Sequence, residues 1–215
     1  MRDENIDILD ANGRCLGTKT RAQVHAAGDW HAVAFVWAAW KDEADSVRLF
    51  LQVRAHPDDP FAGNIDAPAG GHILAGETPE EGARREFSEE VGIELGADEL
   101  IHLGHIRREG NLGPCRRVFQ HFYLCPRRLS LEHTCFNAEV SGFLEVGLDD
   151  LAAVLAGNKT KTFGRARLAH APDTFTRLEL TPASLHSYGD AILDVFRRSF
   201  VSIDRYMRQG RVDLS

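Results

Sequence analysis

The sequence predicts an α/β fold, in which a mixed β-sheet carries helices on its faces. Three observations lead to this prediction. Several short apolar runs bounded by turn residues are typical of strands buried in a sheet, and residues 32–40 form the longest of them. Residues 78–92 combine a helix start, a helical apolar pattern and a helix stop. The C-terminal tail has apolar residues at helical spacing.

The first elements in the chain are predicted to be strands. Asn12-Gly13 favours the positive φ of a tight turn, so residues 5–21 should form an N-terminal β-hairpin. Buried strands are expected at 31–40 and 47–55, and residues 56–71 are interpreted as loop because Pro and Gly interrupt regular structure. Later in the chain we expect strands at 100–109, 116–127 and 140–147, and a helix at 148–157.

The helix in the middle of the chain is predicted to run from about residue 79 to residue 91. Thr78 can cap it, Pro79 suits the first helical position and Glu81 completes a capping box. Gly92 is placed to end it. Its apolar face recurs every four residues and consists of Ala83, Phe87 and Val91.

The C-terminal region, residues 156–215, is predicted to be a mainly helical extension of a central domain spanning 30–155, with residues 1–29 as an N-terminal hairpin extension. The apolar positions of the tail are Leu185, Ile192, Val195, Phe196, Phe200 and Ile203. They are predicted to pack either on the core or on a second subunit, which would make the protein a homodimer.

The composition of the chain argues against some classes of binding partner and some cellular locations. The chain of 215 residues has a formal net charge of −7, which argues against binding of duplex nucleic acid. Residues 32–40 are too few to span a membrane as a helix, and the N-terminus has no apolar segment typical of a secretion signal. The cysteines do not form a Cys-x-x-Cys pair, so we expect a reduced, cytoplasmic protein; they are Cys15, Cys115, Cys125 and Cys135.

Three carboxylates of the central helix lie unusually close together. Glu86, Glu89 and Glu90 share one face because they stand in an i, i+3, i+4 relation. Like charges at this spacing destabilise a helix by about 0.2–0.5 kcal/mol per pair. They could form a solvated acidic face with Arg84 and Arg85 as partners, or they could bind a divalent cation, because Mg²⁺ and Mn²⁺ prefer carboxylate oxygens.

The spacing of these residues favours the cation site. Residues 71–93 resemble the Nudix box, G-x5-E-x7-R-E-U-x-E-E-x-G-U, where U is a bulky aliphatic residue. Eight of its nine fixed positions match, and the ninth is Phe87, an aromatic residue in an aliphatic position. The resemblance implies a Nudix α/β/α sandwich, an enzyme that hydrolyses a diphosphate bond of a small molecule, and Mg²⁺ or Mn²⁺ as cofactor.

The resemblance also implies roles for individual residues. Arg85 would hold a helix carboxylate in place, and the catalytic base would be Glu86, Glu90 or Glu139, the last of which is equally well interpreted as a surface residue. The residues that would bind the metal or support its loop are Gly71, Glu77, Glu86, Glu89 and Glu90. A Nudix-like module that only binds ligands is the alternative, but such modules would have lost box carboxylates that this chain retains.

Residues upstream of the box resemble one branch of the family, the isopentenyl-diphosphate isomerase-like proteins. Those isomerases use three histidines in a metal site, and His25, His31 and His72 could correspond to them. For His25 and His31 a structural role is favoured, because a single histidine is more often structural than a metal ligand. The isomerase cysteine would fall at or near Gly70, where this chain has no thiol. The sequence therefore favours a hydrolase over an isomerase.

Clues to the substrate are fewer. One group of arginines brackets a predicted turn and would either contact phosphates or act as solubilising charges; it consists of Arg107, Arg108, Arg116 and Arg117. A group of aromatic residues could stack on a base or pack in the core, with the core favoured for Trp37; it consists of Trp30, Trp37, Phe61 and Phe119.

Overall fold

The structure is a computed structural model that describes residues 4–55, 62–110, 117–186 and 190–212. Phe61, Cys115 and Arg116 therefore lie outside the described residues. The strands are β1 (Asn5–Leu9), β2 (Cys15–Thr20), β3 (His31–Lys41), β4 (Val47–Arg54), β5 (Ile65–Asp66), β6 (Ala69–His72), β7 (Ile101–Glu109), β8 (Arg117–Cys125), β9 (Val140–Gly147), β10 (Thr162–Leu168) and β11 (Ala171–Leu180). The helices are α1 (Arg21–Ala27), α2 (Pro79–Val91), α3 (Leu148–Leu155), α4 (Pro182–His186) and α5 (Asp190–Gln209).

The main sheet is mixed, as predicted. Its strand order is β11-β10-β9-β4-β3-β8-β7, and the two short strands β5 and β6 pair with β4 and β3. Strands β3 and β8 run parallel, whereas the other pairs of the sheet are antiparallel. Strands β1 and β2 form the separate N-terminal hairpin, whose turn contains Gly13 at φ 81°. The positive φ is the reason for glycine at this position.

The two faces of the sheet carry different helices. Successive side chains of β3 point to opposite faces, and Ala34 and Val36 belong to the same buried cluster as Phe87 of α2. Trp37 faces the other way, into a cluster with residues of α3 and α5. We call these surfaces the α2 face and the α5 face. Burying a side chain of the size of Phe87 stabilises the fold by about 1.5–3 kcal/mol.

Helix α2 begins and ends where the sequence predicts. The Thr78 hydroxyl accepts a hydrogen bond from the Glu81 amide, and the Glu81 carboxylate accepts one from the Thr78 amide at 2.8 Å. Gly92 adopts the left-handed conformation at φ 78° and ends the helix. The predicted apolar face is fully buried, and this fixes the orientation of the neighbouring face, which carries Glu86, Glu89 and Glu90.

The C-terminal region is less helical than predicted before residue 182. Strands β10 and β11 form a hairpin that extends the sheet, and the sequence analysis did not predict it. In β10 the small residues Gly164 and Ala166 face the sheet interior, while Phe163 and Arg165 are exposed. This pattern is the reverse of a usual amphipathic strand, so the apolar alternation on which a strand prediction depends is missing.

Helix α5 covers the core of the same chain. Phe196 and Phe200 pack edge-on against Trp37, with ring centroids 5.2 and 5.5 Å apart. Leu185, Val195 and Ile203 are also buried, while the Ile192 side chain lies outside the described residues. The described apolar positions of the tail therefore pack on the core, which was one of the two predicted outcomes.

The interpretation of residues 56–71 as loop is wrong for its second half. Strand β6 pairs with β3, and Gly70 lies opposite Phe35 in that pairing. A β-carbon at Gly70 would lie 2.6 Å from a carbon of the Phe35 ring, so the strand depends on glycine for its close approach. Because glycine is rare in strands, these residues carry no local signal for a strand.

Candidate active site

Glu86 lies directly over a glycine of β6. A β-carbon at Gly71 would be 2.4 Å from the Glu86 carboxyl carbon, so only glycine leaves room for the carboxylate. The Glu86 side chain is 13% exposed, and its carboxylate accepts a hydrogen bond from Arg85 Nη1 at 2.8 Å. The backbone of β6 and the side chain of Glu86 are thus in direct contact.

Glu90, one turn further along α2, is buried between two strands. The residue is 6% exposed. Its Oε1 accepts a hydrogen bond from the Gly70 amide at 3.1 Å, and its Oε2 accepts one from Gln52 Nε2 at 2.7 Å. Gln52 is a polar residue within the apolar strand β4. A polar residue at such a position was the sequence signal that could have identified Gln52 as part of the site.

Burial disfavours the charged forms of both carboxylates. It raises the pKa of Glu86 to about 7, even though the adjacent Arg85 lowers it. Burial raises the pKa of Glu90 to about 8, against the lowering effect of the Gly70 amide, and the charges of Glu86 and Glu139 add to the increase. A cation close to both groups would favour their ionised forms.

Arg85 connects α2 with the loop before it. Its Nε and Nη2 donate to the Glu77 carboxylate at 2.8 and 3.1 Å, and Nη2 also donates to the His72 carbonyl at 2.8 Å. Glu77 in turn accepts from the Leu74 amide at 2.9 Å. Burial acts to raise the pKa of Glu77, but these hydrogen bonds outweigh it and the pKa is lowered. Glu77 is therefore engaged in holding the loop.

The two remaining predicted carboxylates are more accessible. The Glu89 side chain is 63% exposed and lies 3.6 Å from Arg85 Nη1. Glu139 is exposed, in a loop that is attached to α2 because Asn137 Nδ2 donates to the Glu89 carbonyl at 3.0 Å. The structure thus brings Glu139 into the electrostatic neighbourhood of Glu90, although its role stays a prediction.

The donor set fits a hard divalent cation. Glu86, Glu89 and Glu90 offer carboxylate oxygens on one helix face; Glu90 is buried and the Glu86 side chain is only 13% exposed. In addition, Gln52 Oε1 is buried and has no hydrogen-bond partner among the described residues. An oxygen-rich, negatively charged site of this kind suits Mg²⁺ or Mn²⁺.

Three histidines meet on the opposite side of β6. One nitrogen of each of His25, His31 and His72 lies within 4.8 Å of the others, and His25 Nε2 is 3.0 Å from His72 Nε2. His31 Nδ1 is 3.0 Å from the Asp29 carbonyl, which fixes its tautomer, and His31 Nε2 is buried without a partner in the described ranges.

These histidines are neutral at physiological pH. Burial lowers the pKa of His72 to about 2 and that of His25 to about 4, and it also lowers the pKa of His31. Neutral imidazole is the form that binds Zn²⁺ and similar ions. The sequence indicated these residues and left their role open; the structure brings them together as a possible nitrogen-rich metal site.

The arginines and aromatic residues that were considered as substrate contacts fall into two groups. Some contact one another or a carboxylate, and others lie on the α5 face. Arg107 stacks on Trp30 at 4.4 Å, and Trp30 packs on Phe119. Arg117 donates to Glu109 at 2.9 Å. Trp37 is buried in the core, as favoured, and Arg108 lines a cavity on the α5 face.

Comparisons with known proteins agree with this geometry. A family model described as NUDIX domain matches residues 29–166. An uncharacterised Nudix hydrolase of Clostridium acetobutylicum is 37% identical over 158 residues, which are 72% of this chain and 75% of that protein. An isopentenyl-diphosphate Delta-isomerase of Photobacterium profundum is 29% identical over 98 residues, 46% of this chain and 53% of that protein.

A solved structure supports the fold. The crystal structure of a Deinococcus radiodurans protein aligns with a TM-score of 0.55 and 22% identity, covering 73% of this chain and 91% of that one. None of the helices in the described ranges has the length and apolar character of a membrane-spanning segment. From the family match, the relative and the box geometry together, the chain belongs to the Nudix family and is a Nudix pyrophosphohydrolase.

Proposed function

We propose that this protein hydrolyses the diphosphate bond of a nucleoside-diphosphate-linked or related phosphorylated small molecule, and that it needs Mg²⁺ or Mn²⁺. The observation that carries the proposal is the pair of buried carboxylates, Glu86 over Gly71 and Glu90 against the Gly70 amide. Two such groups one helical turn apart are costly unless a cation compensates their charge.

The residues that would hold the ion are Glu86, Glu89 and Glu90, with the Gly71 carbonyl as a further oxygen. When bound, the ion would supply charge neutralisation for the diphosphate. Arg85 orients Glu86 and, through Glu77, the loop that precedes the helix.

In the reaction a water oxygen attacks one phosphorus, its proton passes to a carboxylate, and the bridging P–O bond breaks to release the second phosphoryl group. Glu86, Glu90 and Glu139 are the candidates for the base. The raised pKa values of Glu86 and Glu90 are compatible with accepting a proton near neutral pH.

Glutamine variants test the assignment. Glu89→Gln and Glu90→Gln should each abolish metal-dependent phosphate release while leaving the circular dichroism spectrum unchanged. Glu80→Gln is the matched control, because Glu80 lies on the same helix and its one ion pair within the described part of the chain is with Arg84, at 3.9 Å. Near-normal hydrolysis by both site variants would refute the assignment.

An isomerase acting on isopentenyl diphosphate is the second candidate, and the histidine cluster favours it. Two features count against it: position 70 carries no thiol, and the Phe35 ring leaves no space for a side chain there. Incubation with isopentenyl diphosphate and Mg²⁺ distinguishes the two, since formation of dimethylallyl diphosphate at an enzymatic rate would favour the isomerase.

A role as a ligand-binding module is the third candidate. A panel of nucleoside diphosphates and triphosphates, dinucleoside polyphosphates, nucleotide sugars and prenyl diphosphates tests it, with and without Mg²⁺. Absence of diphosphate cleavage in every compound, with the monophosphate products resolved by chromatography, would favour the binding role. A cytoplasmic location, a homodimer and the absence of duplex nucleic acid as a partner remain part of this proposal.

A further inference from the structure

A small cavity lies between the sheet and α5. On the sheet side it is lined by Phe35 and Trp37 of β3 and by Phe122 of β8, and on the helix side by Phe196. Its volume is about 50 Å³. Since one water molecule occupies about 30 Å³ in the liquid, the cavity holds a small group and excludes a ring system.

Two hydrogen-bond donors line the cavity, and neither has a charged acceptor among the described residues. Arg108 lines it, and its guanidinium has one long hydrogen bond, 3.4 Å from Nη1 to Gln120 Oε1. Among the described residues, no carboxylate lies within ion-pair distance of Arg108. Trp37, which also lines the cavity, is 2% exposed, and its indole N–H has no acceptor in the same part of the chain.

An unmatched guanidinium in a partly buried position is costly. Burial lowers the pKa of Arg108, and only the more distant charge of Asp194 acts in the opposite direction. Asp66 also lines the cavity, but its carboxylate accepts hydrogen bonds from Arg54 at 3.3 Å and from the Ala67 amide at 2.8 Å. The Asp66 carboxylate is thus engaged by Arg54 and the Ala67 amide, and among the described residues it forms no ion pair with Arg108.

The cavity adjoins the carboxylate site through one residue. The Gly70 amide donates to Glu90, and the α-carbon of Gly70 faces the Phe35 ring that lines the cavity. Gln52, which donates to Glu90, is the strand partner of Asp66 at the cavity wall. A molecule whose diphosphate lies at Glu90 can thus extend past β6 toward Arg108.

We propose that Arg108, together with Gln120 and the Trp37 N–H, binds an oxyanion at the far end of the substrate, so that the enzyme prefers diphosphates whose organic part carries a second acidic group. A carboxylate and a phosphate share the chemistry that a guanidinium recognises. The inference rests on the proposed function, because it assumes that the diphosphate itself is bound at the α2 carboxylates.

Two matched pairs of compounds test the inference and separate the two sources of the oxyanion. UDP-glucose and UDP-glucuronic acid differ by a carboxylate, and dephospho-coenzyme A and coenzyme A differ by a phosphate. Calorimetric titration of the unmodified protein, with Ca²⁺ in place of Mg²⁺ to suppress turnover, gives a Kd for each. We expect the acidic member of one pair to bind about tenfold more tightly than its neutral partner.

Variants of two neighbouring arginines provide the control. Arg108→Gln should equalise the Kd values within the discriminating pair, and Arg108→Lys should retain part of the preference because it keeps the charge. Arg107→Gln should retain all of it, since Arg107 lies next to Arg108 in β7 but stacks on Trp30. Circular dichroism checks that each variant is folded.

Two outcomes would overturn the inference: equal or unmeasurable affinity for both members of both pairs with Arg108 present, or an unchanged preference in Arg108→Gln. Failure of the proposed function has a different signature. In that case protein with Glu90 intact releases no phosphate from any diphosphate, whereas the preference for the acidic compound and its dependence on Arg108 persist.

Discussion

Replacing Gly71 by alanine tests the contact between β6 and the acidic helix with a single added methyl group. The new β-carbon would lie 2.4 Å from the carboxyl carbon of Glu86 and 2.4 and 2.5 Å from its oxygens. Ordinary contacts begin near 3.4 Å, so the carboxylate must move by about 1 Å or rotate away. The backbone at Gly71 has no positive φ, so the effect comes from this contact alone.

The expected cost follows from the displaced groups. Moving Glu86 weakens its hydrogen bond with Arg85, and overpacking of this kind costs about 1–3 kcal/mol. For a chain of this size that corresponds to a fall in Tm of about 2–4 °C per kcal/mol. Activity should suffer more, because a shift of about 1 Å in a catalytic group can reduce the rate about a hundredfold.

The assay combines thermal unfolding, Mn²⁺ titration and phosphate release. Gly147→Ala is the matched control, since a β-carbon there meets its nearest atom at 3.4 Å, and this variant should behave like the unmodified protein. We expect Gly71→Ala to remain folded, to bind Mn²⁺ more weakly and to lose most hydrolysis. Full Mn²⁺ affinity and a rate within threefold of the unmodified protein would show that the position of Glu86 is irrelevant to the site.

Three further predictions concern the acidic site, the histidines and the last helix. Burial raises the pKa of Glu90 to about 8 in the folded state, so the metal-free protein should lose stability in urea as pH rises from about 5 to 8, and Mn²⁺ should reverse the loss. Glu90→Gln should reduce this pH dependence of the free energy of unfolding, and an unchanged pH dependence in the variant would contradict the prediction. Addition of Co²⁺ to the protein should give a visible absorption band from the histidine cluster, and His31→Ala should remove it. His133→Ala, at an exposed histidine outside the cluster, is the control and should retain the band. A band unaffected by His31→Ala would exclude the histidine cluster as its source. Phe200→Ala should lower the free energy of unfolding by about 3–5 kcal/mol without changing the oligomeric state. Val201→Ala, at an exposed position, is the control and should change the stability little. If Phe200→Ala instead remained stable and dissociated into smaller species, the helix would belong to a subunit interface.

The elements predicted correctly are those whose signals are local. Helix α2 has its cap, its apolar face and its stop within fifteen residues, and each of these signals acts on the backbone next to it. Strand β6 was missed because its glycines are poor strand formers and its partner, β3, lies far back in the chain. The β10–β11 hairpin is a local pairing, and it was missed because β10 buries small residues and exposes Phe163, so the usual apolar alternation is missing. Gly70 and Gly164 look like loop residues until the strands beside them are known.

The sequence by itself determined the chemistry of the acidic helix: the i, i+3, i+4 spacing places Glu86, Glu89 and Glu90 on one face, whatever surrounds it. Only the tertiary structure decided that Glu90 is buried between Gly70 and Gln52 while Glu89 remains exposed. It also decided that three histidines meet at one place and that Arg108 lines a cavity on the α5 face. Covalent spacing sets the geometry within a helix, whereas burial and charge compensation depend on residues brought together by the sheet.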